Sequence, residues 1–444
     1  MEAQAIKIVT KLQQAGFQAL FAGGCVRDYL IGQEPQDYDI ATNASAETVQ
    51  LLFDNTKAVG EHFGVVLVEL DGYSFEVATF RRDGPYRDGR HPEYVVSGSI
   101  IDDAFRRDFA INAMFYDPVA DVLYDYVAGR QAIMDERIEF VGTPAHRIRE
   151  DKLRMLRAVR FALRLDFEIR QEDGDAIRQH ASEIHQVAPE RIQWELMKML
   201  RTRKPRRFFE LMHWTGLMGE VLPEVDALRG VEQPSEFHPE GDVWEHTIQV
   251  LENLPEDASD ELILGALLHD IGKPLTFAIT DRIRFNGHDQ VGTLMADDVL
   301  RRLRFPVETI EHVSHLVANH MKFQYVDKMR ISKLKRFMRL PKFEEHMLLH
   351  RADCLGCHAL LDNYEFVMEK LASFEPQEID PHPQVQNANR LFTGDDLIAL
   401  GFKPGPVFKD ILGLVEDEQL EGNICDKEAA IAFVQETFPE GVVS

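Results

Sequence analysis

The chain has 444 residues, 45% of them hydrophobic and 28% charged, with 28 glycines and 20 prolines. That is globular composition, long enough for roughly three domains of ~150 residues, and it excludes a disordered tail protein. Forty-nine Lys and Arg against 75 Asp and Glu leave a formal net charge of −26, which repels polyanions at long range, so any RNA contact must use local basic patches.

No apolar run reaches the ~18 residues that a bilayer span needs, and the N-terminal segment lacks a charged-then-apolar secretory signal. A cytoplasmic location is expected. Cys25, Cys354, Cys357 and Cys425 are too few and too scattered for a disulfide framework, which fits a reducing compartment. Cys354 and Cys357 have metal-ligand spacing but no second such pair, so they read as reduced structural thiols.

Taken in chain order, residues 3–15 have helical periodicity, and AGFQALFAGGCVRDYLIG reads as a strand, a Gly-Gly turn and a helix start. VGEHFGVVLVEL and YSFEVATFRR alternate as hairpin strands. The polar stretch RRDGPYRDGRHPEY, residues 81–94, interrupts them as a mobile loop. The first ~140 residues are therefore α/β, a mixed sheet with helices. From about Ala145 the pattern is almost entirely helical. PSEFHPEGD (234–242) and FEPQEIDPHPQ (374–384) are the expected boundaries, since prolines and charges suit exposed connections. The expected division is a head at 1–140, a helical neck at 141–233, a helical domain at 234–373 and a helical tail at 374–444.

Gly23, Gly24, Arg27 and Asp28 precede Asp37 and Asp39 by about ten residues. In a strand, residues i and i+2 face one side, so both carboxylates enter one site and bind hard cations through oxygen. A Gly-Gly turn lets backbone N–H groups approach a phosphate, and Arg27 lies where it can neutralise one. The set points to a nucleoside triphosphate and Mg2+. Glu76 is open to two readings, a third carboxylate or a solvent-facing strand residue.

GGCVRD, DYDIAT, FRRDFAINAMFYDP and REDKLRMLRAVRFA stand in the order and approximate spacing of the bacterial class II tRNA nucleotidyltransferase and poly(A) polymerase family, which the chain resembles densely over about its first 220 residues. By that resemblance Asp37 and Asp39 are the catalytic metal-binding pair, and Gly24, Arg27, Arg107, Asp108 and Asn112 are nucleotide contacts. The resemblance also matches Glu150, Asp151 and Arg154 to a motif in which the Asp and Arg act as an amino-acid template for the incoming base, with Arg157 counted among the nucleotide contacts. Asp151 and Arg154 are three apart on one predicted helix and share a face. Cytosine and adenine each offer an amino donor beside a ring-nitrogen acceptor, which suits carboxylate plus guanidinium; uracil and guanine reverse both pairings. The competing reading is a surface i,i+3 ion pair. In the family the loop between the first two motifs is needed for adding A, and residues 81–94 occupy that place.

Basic residues follow at Arg147, Arg149, Lys152, Arg154, Arg157, Arg160 and Arg164 on one predicted helix, then at Arg201, Arg203, Lys204, Arg206 and Arg207. The second group is the expected tRNA backbone contact, with a solvated helix end as the alternative.

His246, the contiguous pair His269 and Asp270, His288, His320 and Asp353 resemble the ligand order of the HD metal-dependent phosphohydrolase superfamily. Imidazole and carboxylate together suit divalent first-row metals, and the extra histidines permit two. The joint expectation is template-independent addition of C and A to tRNA from CTP and ATP, with an accessory HD phosphohydrolase. Two alternatives stay open: an A-adding enzyme or poly(A) polymerase, and HD hydrolysis as the principal activity on an RNA-binding head.

Overall fold

Ala19–Ala22, the first strand (β1), is buried on both faces: Leu20 and Ala22 pack with Phe80, Ile100 and Phe115 on one side, while Ala19 and Phe21 join Ile8, Leu12 and Val49 on the other. A strand apolar at every position belongs inside a sheet covered on both faces. The computed structural model describes residues 1–59, 64–86, 92–234, 236, 238–380, 382 and 389–439.

The remaining strands are β2 (Asp39–Thr42), β3 (Thr56–Val59), β4 (Val65–Leu70), β5 (Tyr73–Thr79), β6 (Arg81–Asp83), β7 (Val95–Ser97), β8 (Phe115–Asp117) and β9 (Val122–Tyr124). The seven-stranded sheet runs β3-β4-β5-β2-β1-β8-β9. It is mixed: β2 and β5 pair in parallel, and the other neighbours are antiparallel. Residues 81–94 are not a plain loop, because β6 and β7 pair Arg81 with Ser97 and Asp83 with Val95. The alternation in RRD and VVS was short enough to be masked by the Gly and Pro between them. The middle of that segment, 87–91, lies outside the described residues, as do residues 60–63 of VGEHFGVVLVEL.

The chain divides into two compact units, Met1–Asp226 with Arg301–Phe305, and Ala227–Leu300 with Pro306–Ser444. In the first unit, Arg137–Ile138 pairs in parallel with Glu168–Ile169, and the Arg154 guanidinium donates to the Arg106 carbonyl at 3.1 Å, so head and neck share structure across residue 140. The break at 226 falls before PSEFHPEGD, of which residues 235 and 237 lie outside the description, and FEPQEIDPHPQ carries a short helix, Pro376–Ile379, before its own undescribed positions 381, 383 and 384.

The second unit is built of helices and, against the all-helical expectation, one short antiparallel strand pair, Ala278–Ile279 with Ile283–Arg284. Asp260–Leu268 is buried at every position from Leu262 to Leu268, as expected for a helix apolar all round. Later helices pack on Phe323, Phe337 and Met347, and a separate cluster of Leu397, Ile411, Val415 and Val434 closes the C-terminal segment. Among the described residues no helix is long and apolar enough to cross a membrane. All four cysteines are free thiols.

Candidate active site and metal centre

β1 gives way to Gly23, whose φ of 74° favours glycine and where a Cβ would lie 2.9 Å from the Arg107 guanidinium. Gly23 donates its N–H to the Met114 carbonyl at 3.3 Å, and the helix Gly24–Leu30 follows. Asp39 opens β2 opposite Ala22, which sets its carboxylate beside this turn. Asp37 lies just before the strand, and both carboxylates line one cleft of about 870 Å³. Parallel pairing of Ile40 with Val77 puts Glu76 on the neighbouring strand. Burial, then the charges of Asp37 and Glu76, push Asp39 up to about 6 against the pull of Arg107. Such a cluster favours a cation.

The same cleft is lined by Arg27, Arg107, Asp108, Asn112, Asp151, Arg154 and Arg157. Several of these are held by protein partners. Arg27 is 2% exposed and donates to Asp28 Oδ1 at 2.8 and 2.6 Å and to Asn112 Oδ1 at 2.6 Å. Arg107 donates to Asp103 Oδ2 at 3.1 and 3.0 Å and to the Asn112 carbonyl at 3.2 Å. Burial alone would raise Asp108, but Arg157, donating at 2.9 and 2.6 Å, holds it below the usual carboxylate range.

Asp151 and Arg154 do not share a helix. Pro144–Glu150 ends before Asp151, whose φ of −147° is extended, and the next helix starts at Arg154. Asp151 Oδ1 accepts the Leu153 N–H at 3.1 Å, which opens the break. The basic series read as one helix is thus split over two elements, with Lys152 between them. Nor do the two residues pair with each other: Asp151 accepts from Arg191 at 2.9 and 3.4 Å, and Arg154 donates to Glu150 Oε2 at 2.6 Å and to the carbonyls of Arg147 and Arg106 at 3.0 and 3.1 Å. Three of the five guanidinium N–H groups are thereby used, which leaves Nε–H and one Nη2–H for a base edge.

In the second unit Asp270, His288, His320 and Asp353 line a cavity of about 780 Å³, and His246 and His269 lie against Asp270. His246 sits in the helix Val243–Glu252, and His269 caps the buried helix before Asp270. Gly272 admits a close main-chain approach, since a Cβ there would fall 2.2 Å from the His288 carbonyl oxygen. That approach brings His288 to Asp270. Asp270 Oδ2 lies 3.2 Å from His269 Nε2 and 3.6 Å from His246 Nε2, and Oδ1 lies 3.4 Å from His288 Nε2 and 3.8 Å from His320 Nε2. Asp353 Oδ1 is 3.1 Å from His246 Nε2.

The Nδ1 atoms of His269, His288 and His320 lie 2.8, 2.8 and 2.6 Å from the carbonyls of Ala266, Phe285 and Val317. A carbonyl only accepts, so each Nδ1 carries a proton and each ring turns its Nε2 inward. Nε2 atoms then face each other at 3.3 Å (His269, His246) and 3.2 Å (His288, His320), contacts that need either a shared proton or a metal cation between the two lone pairs. The residues fit two divalent metals, with Asp270 offering one oxygen to each group. Burial would lower His246, but Asp353 and Glu240 outweigh it and push it up to about 9, whereas burial and His269 drive His320 down to about 4.

Family models match three stretches: "Poly A polymerase head domain" over residues 19–139, "Probable RNA and SrmB- binding site of polymerase A" over 166–228, and "HD domain" over 242–355. The chain is thus similar to a poly(A) polymerase-type head and RNA-binding region followed by an HD domain. The CCA-adding enzyme of Bacillus pumilus is 42% identical over 271 residues, 60% of this chain and 63% of that protein. Poly(A) polymerase I of Haemophilus influenzae is 34% identical over 236 residues, 50% of this chain and 52% of that enzyme. The chain thus spans between half and two thirds of the length of these curated relatives. A crystal structure of the Bacillus stearothermophilus CCA-adding enzyme in complex with CTP superposes with a TM-score of 0.72 at 26% identity, covering 99% of this chain and 98% of that one. The Thermotoga maritima CCA-adding enzyme complexed with tRNA shares the fold, with a TM-score of 0.59 at 19% identity over 98% and 94% of the two chains.

The structure adds residues that the motifs did not reveal. The helix Pro189–Leu200 supplies Arg191, Trp194, Glu195 and Lys198 to the first cleft. Glu195 is fully buried and takes Arg160 and Arg157 as ion-pair partners. Their spacing of three and four was visible as helix periodicity, but carried no motif. At the HD site Lys273 Nζ lies 2.6 Å from Asp270 and 2.7 Å from Gln233 Oε1, and Glu240 lies behind His246. In the basic group 201–207, Lys204 and Arg207 pair with Asp166, and Arg207 also pairs with Glu168.

Proposed function

We propose that this chain adds C and A to the 3′ ends of tRNA, with CTP and ATP as donors, and that its HD module is a metal-dependent phosphohydrolase. The observation that carries the first part is the single cleft that gathers Asp37 and Asp39 with Asp151 and Arg154. Catalytic carboxylates and a base-reading pair in one chamber are what an enzyme needs to choose a nucleotide without a nucleic-acid template. The activity for which the relatives are named, and the complexes of similar enzymes with CTP, ATP and tRNA, support the same reading.

Divalent cations at Asp37 and Asp39, Mg2+ in this reading, would offset phosphate charge and favour attack by the primer hydroxyl. The chain's own residues do the positioning. Arg107, fixed by Asp103, presents its guanidinium beside the Gly23 turn. Asp151 keeps carboxylate capacity for an exocyclic amine, and Arg154 keeps N–H donors for a ring nitrogen. Because both are immobilised by Arg191 and Glu150, a base with the reversed edge leaves them unpaired and is refused, by factors of ~10⁴ in sites of this kind. We assign 1–140 to the nucleotidyltransferase head, 141–233 to the base-selecting neck, 234–373 to the HD domain and 374–444 to the tail. Residues 201–207 contact the tRNA backbone, the 81–94 segment assists A addition, and the setting is the cytoplasm. At the HD site a divalent transition metal is held by His246, His269, Asp270, His288, His320 and Asp353.

The test is incubation of the full chain with tRNA lacking its 3′ end, or ending in CC, with each labelled triphosphate separately. Incorporation of two C residues and then one A, with neither U nor G, is expected. Addition of A alone would overturn the assignment, and long A tails would move it to poly(A) polymerase, the activity named for the Haemophilus influenzae relative.

A further inference from the structure

His246 differs from its three companions in what holds its Nδ1. The others rest on neutral main-chain carbonyls, whereas His246 Nδ1 lies 2.8 Å from Glu240 Oε1, with the two side chains only 1% and 3% exposed. Glu240 Oε1 also receives Nδ1 of His238 at 2.8 Å, and its Oε2 is buried with no hydrogen-bond partner among the described residues. A dry carboxylate against an imidazole fixes the ring's tautomer and orientation and makes its other nitrogen a stronger donor to a metal. Glu240 thus spends one oxygen on two imidazoles, and through His246 it faces the position shared by His269 and Asp353 on that ring's far side.

The donor sets on the two sides of Asp270 are unequal as well. His246, His269, Asp270 Oδ2 and Asp353 give one position four donors with two carboxylates, whereas Asp270 Oδ1, His288 and His320 give the other three donors with one. We propose that Glu240 is a positioning residue that acts through His246, and that it makes the position shared by His246, His269 and Asp353 the tighter of two unequal metal positions. This rests on the reading of the cluster as a two-metal site.

The experiment uses the full chain with Asp37→Asn and Asp39→Asn, so that the head contributes no metal binding, stripped with chelator and titrated with Co2+. Binding is followed by calorimetry, by elemental analysis and by the visible ligand-field band. The parent is expected to bind two ions per chain in two steps of different affinity. Glu240→Gln, which keeps shape and an acceptor, should weaken the tighter step about 10- to 100-fold and change its band, with the weaker step unmoved. Glu240→Ala should weaken it at least as much. Unchanged affinities in both variants would overturn the role of Glu240 while leaving the two-metal reading intact. Failure of the parent to bind two ions would overturn that reading itself. Three ions per parent chain would mean that His238, Glu240 and His246 form a ligand set of their own, which also overturns the orienting role.

Discussion

Arg191 donates to Asp151 across 40 residues of sequence, Nη2 to Oδ2 at 2.9 Å and Nη1 to Oδ1 at 3.4 Å. Asp151 lies outside any helix, so this ion pair and the Leu153 N–H are what fix its carboxylate. Arg191→Gln should therefore loosen base choice more than it affects the chemistry. A hydrogen bond to a charged group is worth about 1.5–3 kcal/mol, so discrimination of CTP over UTP should fall roughly 10- to 100-fold. Single-turnover incorporation of each labelled triphosphate measures it, and an unchanged C-to-U ratio would refute the anchoring role.

Asp39→Asn should abolish nucleotide addition, by on the order of 10³-fold or more, because it removes one member of the cation-binding pair. Hydrolysis by the HD module should be untouched. Parallel assays of tRNA extension and phosphoester hydrolysis on one preparation separate the two activities, and loss of both would contradict two independent centres.

Glu195 is fully exposed to none of the solvent, yet it faces Arg160 and Arg157 at the floor of the cleft. Breaking a buried pair from one side leaves uncompensated charge and costs about 3–5 kcal/mol. Glu195→Ala should lower the thermal midpoint of the first unit by several degrees, whereas Glu195→Gln keeps shape and hydrogen bonding and should lose less. Calorimetry of the three proteins gives the order.

Gly272 carries a comparable constraint in the second unit. Any Cβ would meet the His288 carbonyl at 2.2 Å and the Gly292 nitrogen at 2.7 Å, both of them main-chain atoms that cannot rotate away. Gly272→Ala should displace His288 from Asp270, with overpacking of about 1–3 kcal/mol and loss of metal from the His288/His320 side. Elemental analysis after dialysis reads the second effect directly.

The amino-acid sequence announced most of both centres because their ligands sit in short, contiguous motifs: Asp37 and Asp39 around a strand start, His269 and Asp270 at the end of an apolar helix. It misled at Asp151, where helical periodicity ran on through REDKLRML although the Asp151 side chain captures the Leu153 N–H and stops the first helix. Local side-chain capture of backbone is invisible to periodicity. It was silent on Arg191, Glu195 and Glu240, whose roles depend on partners 35 to 40 residues away or on a loop conformation. The β6–β7 hairpin was hidden for a related reason, since three-residue strands carry too few alternations to stand out from a Gly- and Pro-containing segment.

His346 couples the stability of the second unit to pH. The side chain is 2% exposed in the core of the second unit, and neither ring nitrogen has a hydrogen-bond partner. His312 is its edge-on neighbour at 6.1 Å and pairs instead with Glu345 at 2.8 Å. Burial first, then His312 and His315, push His346 from 6.5 down to about 3, with Glu345 opposing too weakly to restore it. Above pH 6.5 the ring is neutral folded or unfolded and contributes nothing to pH dependence. As pH falls from 6.5 towards 3, the unfolded chain binds a proton that the folded chain refuses, so stability declines by about 1.4 kcal/mol per pH unit. His346→Phe fills the same space with no titratable group. Its stability should therefore fall less steeply than wild type between pH 6.5 and 4, and the two urea midpoints should diverge on acidification. Parallel midpoints across that window would show that the imidazole finds a proton-accepting partner in solution.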